Sequence, residues 1–134
     1  MSMGYAARCR IKNENEAEVA YEYACYNLNN DDYELAKESF CGLITIKKNA
    51  FVEPEIHEKI KRFPNGKKEL IIKRVKREVD YETLFDTGQI TVKNSSYCWK
   101  TISGFDIMAL KLVWKIFSIY QDNSLIPKSI AIDY

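Results

Sequence analysis

Histidine occurs once in the 134 residues, as His57, and the five glycines stand singly at positions 4, 42, 66, 88 and 104. Glycines so scattered build no GxGxxG or Walker-type loop to cradle a phosphate, and neither HExxH nor GxSxG occurs. The frameworks of nucleotide hydrolysis, zinc proteolysis and serine hydrolysis are therefore missing. General acid or base work by His57 needs a partner at hydrogen-bond distance, and the sequence offers only its neighbours Glu55 and Glu58 on a stretch that reads as a solvent-facing helix. The acid-then-lysine strand pattern of metal-dependent nucleases is also absent: Glu58-Lys59-Ile60-Lys61 falls in that same expected helix, and Asp86, Gln89 and Lys93 have the wrong spacing.

Four cysteines, Cys9, Cys25, Cys41 and Cys98, form no CxxC pair and have no histidine beside them, so they do not spell a zinc site and read as buried free thiols. Cys98, next to Trp99, lacks the basic partner that would make it a nucleophile. No metal and no cofactor is expected. Long apolar runs are lacking too. The longest, Phe105 to Tyr120, has sixteen residues and contains Lys111 and Lys115, too short and too charged to span a bilayer. The N-terminal residues have no apolar stretch of the secretory kind, which leads to the expectation of a cytoplasmic protein without a membrane segment.

What the chain does have is segregated charge. Fifteen Lys against five Arg, with fifteen Ile and nine Asn, is a bias that AT-rich coding would produce, yet the distribution is uneven beyond that background. Residues 59–77 hold nine basic side chains against the single acid Glu69, whereas residues 13–38 hold Glu14, Glu16, Glu18, Glu22, Asp31, Asp32, Glu34 and Glu38 against Lys37. The net formal charge is only +1, which speaks against a dedicated nucleic-acid binder but leaves room for a local basic site. Polarity of this kind steers charged partners; the bland alternative is that the two poles neutralise each other within the molecule.

Length, 46% apolar and 29% charged residues fit one globular core, and no repeat or linker divides the chain, so residues 1–134 are read as a single domain. Hydrophobic spacing predicts a strand over Tyr5 to Ile11, then a helix with Asn13 at its cap and Ala17, Ala20, Tyr21, Ala24 and Leu28 on its buried stripe. Asp32 to Phe40 reads either as a short helix or as the lead into the strand that follows, Gly42 to Lys47. Pro54 suits the first turn of a helix lined by Ile56, Ile60 and Phe63, which Pro64-Asn65-Gly66 ends. Residues 69–79, rich in β-branched side chains, read as a strand rather than a helix. A helical turn over Tyr81 to Thr87, a hairpin of Gln89 to Lys93 with Tyr97 to Thr101, and a terminal strand over Ser129 to Asp133 complete the sheet. Ser103 and Asp106 suggest a capping box for a nearly buried helix over residues 104–121, with Trp114 and Phe117 in the core. The fold class expected is α+β, an antiparallel or mixed sheet packed on helices.

With no catalytic set, the sequence favours a small non-enzymatic protein-binding module, of the inhibitor or immunity type that neutralises a partner such as a toxin. Either Lys67, Lys68, Lys73, Arg74, Lys76 and Arg77 meet acids on the partner, or the acidic Glu14 to Asp32 side covers a basic active site, and the sequence does not choose between the two faces. Tyr23 and Tyr26, off the helical stripe and amid acids, are the aromatics expected at the surface, where tyrosine suits interfaces. The alternative is a nucleic-acid-binding module that sets the basic segment 59–77 against phosphates.

Overall fold

The computed structural model describes residues 4–31, 33–95 and 106–133. Its first two strands are β1 (Tyr5–Glu14) and β2 (Glu18–Asn27), antiparallel and in a register that sets Cys9 opposite Tyr23. Asn15 makes the turn between them, its carboxamide oxygen accepting from the backbone N–H groups of Ala17 and Glu18 at 2.8 and 2.9 Å. The helix expected over residues 13–28 is thus a strand. The reason is that β2 is covered on both faces. Val19, Tyr21, Tyr23 and Cys25 alternate into the main core, while Tyr26 packs with Ala6 and Ala36 on the other side. Burial on both faces erases the polar alternation that marks a strand, and the alanines left behind fall by coincidence at helical spacing.

A short helix, α1 (Tyr33–Lys37), brings Ala36 onto that outer face. β3 (Gly42–Lys47) then pairs with β2, and after a 3-10 turn at Lys48–Ala50 the chain leaves the sheet as a hairpin, β4 (Glu55–Arg62) and β5 (Lys68–Val75). Residues 54–63 were also expected to be helical. Ile56 and Ile60 are four apart, a spacing that satisfies a helix and a strand equally, and the pairing with the β-branched 68–75 segment decides for the strand. Gly66, at φ 83°, supplies the left-handed residue that closes the turn.

The remaining elements are α2 (Tyr81–Asp86), capped by Asp80; β6 (Ile90–Lys93); α3 (Ile107–Asn123); and β7 (Ser129–Asp133). Five strands make one sheet in the order β6-β3-β2-β1-β7, every neighbouring pair antiparallel. α3 lies across this sheet and buries Met108, Ala109, Leu112, Val113, Ile116, Phe117 and Gln121. The architecture is α+β, with an antiparallel sheet and a last helix that is largely buried. Trp114 is not part of the core: it sits on the flank of α3, 45% exposed. Phe117 is. Asp106 is itself the N-cap of α3 and not the third residue of a box begun at Ser103. Ser103, Cys98 and the strand expected over Tyr97 to Thr101 lie outside the described residues.

Cys9 and Cys25 are buried, and burial pushes the Cys9 thiol up to about 12. Cys41, expected to be buried, is exposed, because it precedes β3 on the approach to the sheet. No helix among the described residues is long and apolar enough to cross a membrane.

Candidate functional site

The hairpin of β4 and β5 is the part of the molecule that packing does not account for. Every residue of β4 is exposed, and so is every residue of β5 except Val75. Its turn is tight: Phe63 donates its N–H to Lys67 O at 2.9 Å, and Gly66 donates to Phe63 O at 3.0 Å. This is the three-residue loop with a left-handed glycine that joins antiparallel strands.

Residues opposite each other in an antiparallel ladder share a face, so the register sorts the side chains. Ile56, Ile60, Leu70 and Ile72 fall on one face, with Arg62 and Lys68 near the tip, Glu58 between, and Arg74 at the base. His57, Lys59, Lys61, Glu69, Ile71 and Lys73 fall on the other. The four aliphatic side chains of the first face are 52–60% exposed. A pair of strands with nothing on either face is marginal on its own in water; something must hold this one.

What holds it is the end of α3. Arg74 donates from Nε to the carbonyl oxygen of Gln121 at 3.2 Å and from Nη2 to Ser124 Oγ, which places a cation on the unpaired carbonyls and negative dipole end of the helix. The Gln121 side chain, 3% exposed, clamps the backbone of Arg77 from both sides: Arg77 N–H donates to Gln121 Oε1 at 2.7 Å, and Gln121 Nε2 donates to Arg77 O at 3.0 Å. Lys76 reaches Ser118 Oγ at 2.6 Å and Asp122 at 3.4 Å. Across the base, Glu55 takes a hydrogen bond from His57 at 3.1 Å and lies near Arg77, and the two hold its carboxyl below the usual range.

The six cations named from the sequence therefore divide. Arg74, Lys76 and Arg77 are engaged with α3 or with Glu55, whereas Lys67 and Lys68 at the tip and Lys73 along the strand make no ion pair among the described residues. The same is true of Lys59, Lys61 and Arg62. These three lie within the basic segment but were not singled out, and the aliphatic face was missed altogether. The signal for both was the alternation of Ile56, Glu58, Ile60 and Arg62 read together with the Pro64-Asn65-Gly66 turn and the β-rich strand after it.

Three acids of the acidic block pair away from the hairpin. Glu14 pairs with Lys48 at 2.8 Å, Glu22 with Arg10, and Glu38 with Arg8 at 3.0 Å. None of these partners belongs to the hairpin, so the two poles remain separate exterior regions. Exposed pairs of this sort contribute little to stability. The two tyrosines expected at the surface are buried instead, Tyr23 at 0% and Tyr26 at 8% exposure. Because residues 18–27 are a strand under a helix on one side and over the main core on the other, both rings point inward. Tyr23 donates its hydroxyl to Asp106 Oδ2 at 2.6 Å, and burial first, then that hydrogen bond, push its phenol well above the ordinary range. Neither ring offers a binding surface.

Beside the hairpin base, Lys76, Arg77, Glu78, Val79, Tyr81, Trp114, Ser118 and Gln121 line a shallow cleft of about 360 Å³. The half-exposed Trp114 ring packs on Tyr81 at 6.1 Å between centroids. Among the described residues no three of His, Cys, Asp and Glu come together in a metal-binding arrangement. No family model, curated protein or solved structure matches the chain.

The seat on α3 has a measurable consequence. Gln121→Ala removes both bonds to Arg77, a loss of about 1–3 kcal/mol for a buried amide pair. Hydrogen exchange of the β4 and β5 amides is expected to accelerate at least about tenfold while that of the β2 amides holds. Uniform acceleration across both sheets would show that the hairpin is not held locally by this residue.

Proposed function

We propose that the protein is a non-enzymatic binding protein that grips an acidic protein surface with the β4–β5 arm, in the way an inhibitor or immunity-type protein neutralises a partner such as a toxin. The observation that carries this reading is the pairing of four exposed aliphatic side chains, Ile56, Ile60, Leu70 and Ile72, with six cations that make no ion pair among the described residues. Protein interfaces combine an apolar centre with a polar rim. Phosphate contacts alone have no use for the apolar centre. Charge on the arm would speed and orient encounter, and the aliphatic face would supply much of the affinity. The cleft at Trp114 extends the same surface with an aromatic side chain of the kind enriched among dominant contacts.

The test uses two variants of the full chain. Ile60→Glu with Ile72→Glu removes the apolar centre; Lys59→Glu with Lys61→Glu reverses charge on the opposite face. With the partner fixed by cross-linking in the source cell and then purified, the first variant is expected to weaken binding by about a hundredfold through faster dissociation. The second is expected to slow association and abolish its salt dependence. Capture of the same partner at unchanged affinity by both variants would sink the reading.

One feature favours a second reading, nucleic-acid binding: a two-stranded ribbon fits the major groove of a duplex. A salt-sensitive shift of labelled DNA or RNA that the lysine variant loses and the isoleucine variant keeps would select it.

A further inference from the structure

The arm has open edges as well as open faces. The turn bonds Phe63 to Lys67, and in an antiparallel ladder bonded and non-bonded pairs alternate from there. The pairs Lys61 with Glu69, Lys59 with Ile71 and His57 with Lys73 thus face inward, leaving the N–H and C=O groups of Ile56, Glu58 and Ile60 directed away from β5. Among the described residues these groups make no bond outside the hairpin. An unpaired strand edge is a template for another strand, and a two-stranded ribbon gains most from a third.

We infer that the free edge of β4 takes up an extended segment of the partner as a third strand, and that this segment alternates aliphatic with acidic residues. The alternation follows from the side chains it would lie beside. On one face an incoming strand meets Ile56 and Ile60 with Glu58 between them; on the other it meets His57, Lys59 and Lys61, with Glu55 at the base. Aliphatic residues extend the isoleucines of the first set, and carboxylates on the second set face the ammonium groups of Lys59 and Lys61. A second copy of the arm is disfavoured as the occupant, because residues 55–75 carry seven cations against three acids and edge pairing would set like charges side by side. The inference rests on the arm being the binding element and specifies how it binds.

Three synthetic peptides test it against the full chain: one alternating valine with glutamate, one alternating valine with lysine, and the acidic one N-methylated at every second amide. The acidic peptide is expected to bind roughly tenfold more tightly than the lysine peptide, and to slow exchange of the Ile56, Glu58 and Ile60 amides. N-methylation should abolish both effects, and Lys59→Glu with Lys61→Glu should reverse the preference between the charged peptides. Binding of the N-methylated peptide at equal strength, or binding without protection of those amides, would overturn strand addition while leaving the arm as the recognition element. Protection of the β4 amides that rises with protein concentration alone would overturn it in favour of a second copy. Failure of the wider reading looks different: the arm variants would then leave partner capture untouched.

Discussion

Asp106→Ala is expected to lower the unfolding free energy by about 3 kcal/mol, a large share of the roughly 5–15 kcal/mol a domain of this kind possesses. Asp106 is fully buried and is surrounded by donors. Its Oδ1 accepts from the N–H groups of Met108 and Ala109 at 2.9 and 3.2 Å, and its Oδ2 accepts the Tyr23 hydroxyl, with Cys25 Sγ at 3.8 Å. A carboxylate in that position caps α3, answers the positive end of the helix dipole, and ties the helix to the middle strand of the sheet. Removing a cap costs about 0.5–2 kcal/mol. Leaving a buried tyrosine hydroxyl without its acceptor adds about 1–3 kcal/mol. Asp106→Ser keeps the cap and gives up Tyr23, so its loss should fall midway, which keeps the comparison usable if the alanine variant does not fold. Denaturant unfolding of Asp106→Ala, Tyr23→Phe and the double variant should return a coupling of at least about 1 kcal/mol between the two sites. A loss below about 1 kcal/mol for Asp106→Ala would mean that the capping network does not hold the helix to the sheet.

The second large effect lies across the ladder from Tyr23. Gly42 is its partner in β3, and a Cβ built there would stand 2.5 Å from Cζ of the ring. Its φ is not in the left-handed region, so the backbone would accept any residue; the side chain of Tyr23 would not. With its hydroxyl bound to Asp106 and taking the Ser95 N–H at 3.2 Å, the ring has nowhere to retreat. Gly42→Ala is expected to cost about 2–3 kcal/mol by overpacking, and Gly42→Val more. The same alanine placed in a Tyr23→Leu background should cost distinctly less, because the shorter side chain vacates the space. Equal losses in both backgrounds, read from thermal or denaturant unfolding, would put the strain elsewhere.

These two sites show what the sequence conceals. Gly42 to Lys47, the Pro64-Asn65-Gly66 turn, the strand character of residues 69–75 and the terminal strand were legible because each carries a local signal, β-branched runs or turn residues, that agrees with its tertiary setting. Residues 18–27 were not, since a strand buried on both faces loses its alternation and its alanines imitate a helical stripe. The error carried Tyr23 and Tyr26 to the wrong side of the molecule. Residues 55–62 failed for a different reason. Their two isoleucines satisfy either period, and the choice is made by a strand on the far side of the turn. Segregated charge did point to the arm, but only pairing reveals which cations are tied to α3 and which are free. Asp106 was recognised as part of a cap, while its bond to a tyrosine eighty-three positions earlier has no trace in the sequence.

The position of β1 between β2 and β7 bears on how the chain acquires its shape during synthesis. β1 can zip to β2, and β2 to β3, as soon as they emerge, since each joins its neighbour in sequence. Its outer neighbour is another matter: Arg10 must wait for Ser129. Until then the sheet also lacks α3 over its apolar side, so a nascent chain at the ribosome displays a meander of strands with one greasy face and one open border. Topologies that depend on such late, distant closure fold slowly and are exposed to misassembly in the interval. α3 and β7, which follow the other strands in sequence, are the elements that end this exposure.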